Sequence, residues 1–167
     1  MEQNKMEKQG KIERMVNSFN ERRKLPRARK LIKKGYKGLD EWSEEDAIDL
    51  VEYLTENHPH YFKNPKELAA IAMAEVCHIM EVSSIVFTGE DTSKCSEEDW
   101  KKFIDGCMER SIRDGSNRVP HLNTPEEYDS FYRDIKDLYH KLDDKGVFSD
   151  YLDMKYKQRE MVRGGKK

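Results

Sequence analysis

Few residues in this chain have types and spacing that could do chemistry. Glu75 and His78 stand at i, i+3, the spacing by which one helix offers two ligands to a di-iron or di-manganese centre. Such a centre needs a second Glu-x-x-His and two further inward carboxylates. The nearest candidate, Asp137-x-x-His140, falls off the apolar stripe Tyr128, Phe131, Tyr132, Ile135, Leu138, Tyr139 and Leu142, so both residues would point away from a core. The pair Glu75 and His78 therefore reads as the polar edge of a buried helix, with His78 hydrogen-bonded. His58-Pro59-His60 reads as a solvated turn at a helix end. The cysteines Cys77, Cys95 and Cys107 are odd in number and lack C-x-x-C spacing, which argues against a disulfide framework or a zinc site and fits a reducing cytosol. There is no G-x-S-x-G, no P-loop and no G-x-G-x-x-G. No enzyme activity, no cofactor and no metal are expected.

Charge is more informative. The chain has 167 residues and a net charge of −2, but the average hides a split. Residues 1–37 hold 13 cations against 4 anions, and residues 38–62 hold 8 anions and no Lys or Arg. The basic cluster Arg22, Arg23, Lys24, Arg27, Arg29, Lys30, Lys33 and Lys34 is of the kind that neutralises phosphates. Phe19 and Tyr36 offer only sparse stacking. Glu44, Glu45, Asp49 and Glu52 make an acidic face that suits a basic partner or this chain's own basic segment, and they also favour the dipole at the start of a helix.

These groups must be positioned by helices. Ile12, Met15, Val16 and Phe19 follow one helical face, Pro26 interrupts, and Ala28, Leu31 and Ile32 form a second short stripe. The two pieces predict a basic helical arm over 1–37 that is packed against something, since a purely electrostatic tail needs no apolar stripe. Gly35 and Gly38 mark the candidate boundary. An irregular bundle of about five helices is expected over 38–163, with 164–167 as a flexible tail.

Within the bundle, Ser43 is the expected N-cap of a helix ending before Pro59, with Asp46 approximating a capping box. Asn64-Pro65-x-Glu67 opens the next helix, and its body, Leu68 to Met80, is apolar nearly all round, which makes it the central core helix. Val82 to Thr88 is β-branched; a lone strand would have no partner, so continued helix or an extended linker is expected. Ser96 caps a helix carrying Trp100, Phe103, Ile104, Cys107, Met108 and Ile112, which Gly115 is expected to end. Thr124-Pro125-x-Glu127 starts another, stopped at Gly146, and a last helix runs over roughly 149–162. The repeated Ser-Glu-Glu-Asp at 43 and 96 suggests two related helix–loop–helix units, or one good capping sequence used twice. Glu67-Leu-Ala-Ala has the flavour of a helix-turn-helix opening, without the glycine-bearing turn that should follow.

No apolar run reaches the length of a membrane span and the first residues lead into no apolar segment, so a cytoplasmic protein with no membrane contact is expected. The expected function is that of a non-enzymatic accessory or regulatory factor whose basic arm holds nucleic acid or a nucleoprotein complex. One alternative is a structural or assembly subunit, as in a viral particle, with the arm docked on a neighbouring protein or a second copy. Another is an inhibitor whose acidic face occludes a nucleic-acid-binding partner.

Overall fold

The computed structural model describes residues 23–36, 41–87, 95–119 and 122–165. Its elements are α1 over 23–35, α2 (Glu41–Asn57), a 3-10 turn (Pro59–Tyr61), α3 (Pro65–Phe87), α4 (Glu97–Asn117), α5 (Pro125–Asp144) and α6 (Val147–Gly164). The expected all-α bundle is the observed fold, with no strand among the described residues. None of these helices is long and apolar enough to cross a membrane. The β-branched run beginning at Val82 continues α3 through Phe87, since the backbone N–H groups of an extension stay satisfied inside the helix whereas a lone strand leaves them open.

The centre of the bundle is α3. Every residue from Leu68 to Val76 is buried, because α2, α4 and α5 all lie against it. A helix enclosed in this way has no face to reserve for water, which is why its sequence is apolar all round. Its start is fixed by reciprocal capping. The backbone N–H of Glu67 donates to Asn64 Oδ1 (3.0 Å), and the Glu67 carboxylate accepts from the N–H of Lys63 (2.8 Å). Helix α5 repeats the device: Glu127 N–H donates to Thr124 Oγ1 (3.1 Å) and the Glu127 carboxylate accepts from Asn123 N–H (2.9 Å).

Two expected boundaries differ. Ser43 is not an N-cap, because α2 already begins at Glu41. Its side chain is buried in the bundle with Oγ 3.0 Å from the Met80 sulfur. Ser96 does cap α4, accepting from Asp99 N–H, so the two Ser-Glu-Glu-Asp sequences occupy different structural positions. Gly115 does not end α4, which runs on to Asn117. It is buried where α4 crosses α3, and a Cβ there would lie 2.7 Å from both the Ala70 carbonyl oxygen and the Ala74 nitrogen. Only a residue without a side chain lets the two backbones meet so closely.

Residues 1–22, which carry the first expected stripe of Ile12, Met15, Val16 and Phe19, lie outside the described residues, as do 37–40 at the expected boundary. The second piece, α1, packs on this chain's own bundle. Ala28, Ile32 and Tyr36 are buried in the same core cluster as Leu54, Leu68 and Met73. Residues of α1 thus share one core with the helices that follow.

At the other end, Gly146 adopts φ +72°, the left-handed conformation that turns α5 into α6. Val147, Phe148 and Tyr151 anchor α6, and residues 156–165 are all exposed.

Candidate functional site

The expected basic contact residues separate once the chain is folded. Arg22 lies outside the described residues. Lys24 donates to the Phe62 carbonyl oxygen (2.8 Å), and Arg29 forms an ion pair with Glu52. These two cations help seat α1 on α2 and the turn that follows it. Arg27, Lys30 and Lys34 share one exposed side of α1, since seven residues make nearly two turns. Arg23 stands a turn earlier on that side, and Lys33 is exposed on another.

Arg27, Lys30 and Lys34 meet a cation that sequence reading missed. Lys66, in the first turn of α3, joins them around a groove of about 500 Å³ whose remaining lining is Leu31, Asn64 and Pro65. No carboxylate is among the lining residues. Periodicity places Lys66 on a helix but says nothing of which helix start lies beside α1, so no local signal could have found it.

The expected acidic face is partly engaged within the chain. Glu52 is paired with Arg29, and Asp49 with Lys155 of α6 at 2.6 Å. Glu44 is half-buried and Glu45 exposed on the first turns of α2.

A second constellation surrounds Glu75. Both Glu75 and Tyr139 are buried, at 4% and 1% exposure, and the Tyr139 hydroxyl donates to the Glu75 carboxyl. Burial raises the Glu75 carboxyl to about 7; the Tyr139 hydrogen bond pulls it down and the nearby Asp143 pushes it up. Burial lowers the His78 imidazole, against the opposing influence of Asp143 and Glu81. His78 Nδ1 is buried with no hydrogen-bond partner among the described residues, contrary to the expected satisfied imidazole. Helical spacing puts His78 beside Glu75 but supplies no neighbour for its ring. Glu75, His78 and Asp143 line one cleft of about 300 Å³ between α3, the end of α5 and the start of α6. Among the described residues, no group of three or more His, Cys, Asp or Glu side chains could hold a metal ion.

The cysteines are all free. Cys77 donates its thiol to Asp114 (3.2 Å), which also pairs with Arg118 (2.7 Å), while the Arg118 guanidinium lies 5.3 Å from the centre of the Tyr36 ring. Burial, with the Asp114 carboxylate adding to it, pushes the Cys77 thiol up to about 12. A thiol held so far from ionisation is a packing group rather than a nucleophile at neutral pH.

Comparison with known proteins gives no match to a family model, to a curated protein or to a solved structure.

Proposed function

We propose that this chain is a non-enzymatic accessory protein that contacts nucleic acid, free or within a nucleoprotein complex, through the groove between α1 and α3. The observation that supports this reading is the convergence of Arg27, Lys30, Lys34 and Lys66 from two helices on one concave surface without a carboxylate. The two packed helices hold the bases of these side chains close together, and phosphate contact releases the counterions that surround a nucleic acid. Phosphate contacts of this kind fix a protein's position on a nucleic acid without reading its sequence. Free cysteines without disulfide pairing fit a reducing, cytoplasmic setting.

The test is equilibrium binding of the full chain to duplex DNA and duplex RNA. Neutralising about four phosphates of DNA predicts that affinity falls roughly 100-fold between 50 and 200 mM salt. The triple variant Arg27→Glu, Lys30→Glu, Lys34→Glu should abolish binding without unfolding the chain, since all three residues are exposed. Absence of binding at low salt, or undiminished binding by the triple variant, overturns the reading.

A second reading, an assembly subunit, draws on a different observation. Tyr156, Met161 and Val162 on the far half of α6 are 69%, 78% and 66% exposed, and large apolar groups in such positions suit a protein interface. A defined oligomer by light scattering, lost in Met161→Glu with Val162→Glu, would favour it over the first. The inhibitor reading has less to draw on, because Asp49 and Glu52 already have partners within the chain.

A further inference from the structure

We propose that the nucleic acid held by the basic groove is single-stranded there, and that an unpaired base stacks on His60, the most exposed of a run of aromatic rings at the groove's end. This inference rests on the reading of the groove as a phosphate-contacting surface and names the form of its ligand.

The rings belong to the end of α2 and to the turn that leads into α3. The centroids of Tyr53 and His58 are 5.9 Å apart, those of His58 and Tyr61 6.1 Å, and those of Tyr61 and His60 4.4 Å. Tyr53, His58 and Tyr61 are half-buried, whereas His60 is exposed. The His60 ring is thus backed by Tyr61 and still open to solvent. The turn that carries it is held by Pro59 and by two hydrogen bonds, from Tyr61 N–H to the His58 carbonyl oxygen (3.3 Å) and from Phe62 N–H to that of Pro59 (3.4 Å). The Lys141 ammonium lies 5.5 Å from the centre of the Tyr61 ring, which puts positive charge at this end of the run. Tyr53, at the far end, has Asp150 nearby, a poor neighbour for a phosphate.

Both walls of the groove meet this turn. Phe62, directly after Tyr61, is buried, and its carbonyl oxygen accepts from Lys24 Nζ of α1 at 2.8 Å. Arg27 follows Lys24 by nearly one helical turn, a rise of about 4.5 Å. Asn64 follows Phe62 by two residues, a span of at most about 7 Å. Arg27 and Asn64 both line the groove, so a strand whose phosphates run along Arg27, Lys30 and Lys34 comes to the turn at one end. The cations alone accept the backbone of a duplex or of a single strand. The ring adds a preference, because an unpaired base has a free face to lay on tyrosine or histidine, and a paired base is already stacked between its neighbours. A basic groove for the backbone beside rings for the bases is how proteins hold single strands without reading their sequence.

The experiment measures binding of the full chain, by fluorescence anisotropy at low salt, to an oligothymidylate and to an abasic strand of the same length. A blunt duplex probes the groove alone. The oligothymidylate should bind at least about fivefold more tightly than the abasic strand, the gain expected from one stacked base. His60→Ala should remove that preference. It should leave the affinity for the abasic strand and the melting temperature unchanged, since the side chain is exposed. His60→Phe should restore the preference, which assigns it to stacking rather than to the charge of an imidazolium. Equal affinity for the two strands, a preference that survives His60→Ala, or one that His60→Phe fails to restore overturns the stacking proposal and leaves the groove reading intact. Failure to bind any of the three probes overturns both.

Discussion

Tyr139 donates its hydroxyl hydrogen to the carboxyl of Glu75 across 64 positions of the sequence, joining α5 to the most enclosed helix of the bundle. The pair is buried on both sides, so the protonation state of Glu75 bears on how firmly α5 is held.

Stability should therefore fall as pH rises through neutrality. Burial lifts Glu75 from its ordinary 4.5 to about 7. The folded chain favours the protonated carboxyl, so this contribution is complete below pH 4.5 and is lost as pH passes 7. Glu75→Gln keeps an acceptor for Tyr139 and cannot ionise. Urea unfolding at pH 5 and pH 8 should show the wild type losing roughly 2–3 kcal/mol more than the variant over that interval, at about 1.4 kcal/mol per pH unit of displacement.

Two glycines of α4 should respond in opposite directions to alanine. At Gly115 a methyl group meets the backbone of Ala70 and Ala74, so the helices must separate, at roughly 1–3 kcal/mol. At Gly106 the nearest atom is the flexible end of Arg110, at 3.4 Å. Gly106→Ala should gain up to about 1 kcal/mol from helix propensity. Thermal melts of the two variants check both signs.

The two serines of the repeated Ser-Glu-Glu-Asp sequence should be unequal. Ser96→Ala removes the acceptor for Asp99 N–H and should lose roughly 0.5–2 kcal/mol. Ser43 sits inside α2, and among the described residues its hydroxyl meets a thioether, a weak acceptor. Ser43→Ala should change the melting midpoint in urea by less than about 0.5 kcal/mol equivalent, because alanine's higher helix propensity offsets the lost contact.

Opposite sides of α1 should also differ. Ile32 is fully buried, and Ile32→Ala should lose about 2–5 kcal/mol. Lys30 is exposed, and Lys30→Glu should stay within about 0.5 kcal/mol of wild type while weakening polyanion binding. Chemical denaturation combined with a binding assay separates the two effects.

The sequence was most readable where a single helix carries the whole signal. The apolar run Leu68 to Met80 announced the central helix, and Asn64-Pro65 and Thr124-Pro125 announced their helix starts, because capping is local chemistry. Ser43 shows the limit: the same four residue types that cap α4 lie inside α2, which already begins at Glu41. Gly115 was read as a stop because glycine weakens a helix locally, whereas its place depends on the backbone of α3. The sites were less legible still. The charge split pointed to α1, but Lys66 enters through the adjacency of α1 and α3, and Tyr139 and Asp143 come near Glu75 through the packing of α5 on α3. Such neighbours are set by tertiary contact and leave no period or spacing in the chain.

Arg118, at the end of α4, donates to the carbonyl oxygen of Gly35, 83 residues earlier, at 3.4 Å. This contact has a consequence for biosynthesis. At about 5–20 residues per second, the ribosome takes roughly 4–17 seconds between making the two ends of that hydrogen bond. Until the end of α4 emerges, Gly35 and Tyr36 lack the Arg118 side chain that lies against them. The nascent chain thus exposes a cationic, partly apolar segment close to a large polyanion, and this contact can form only after residue 118 has been added.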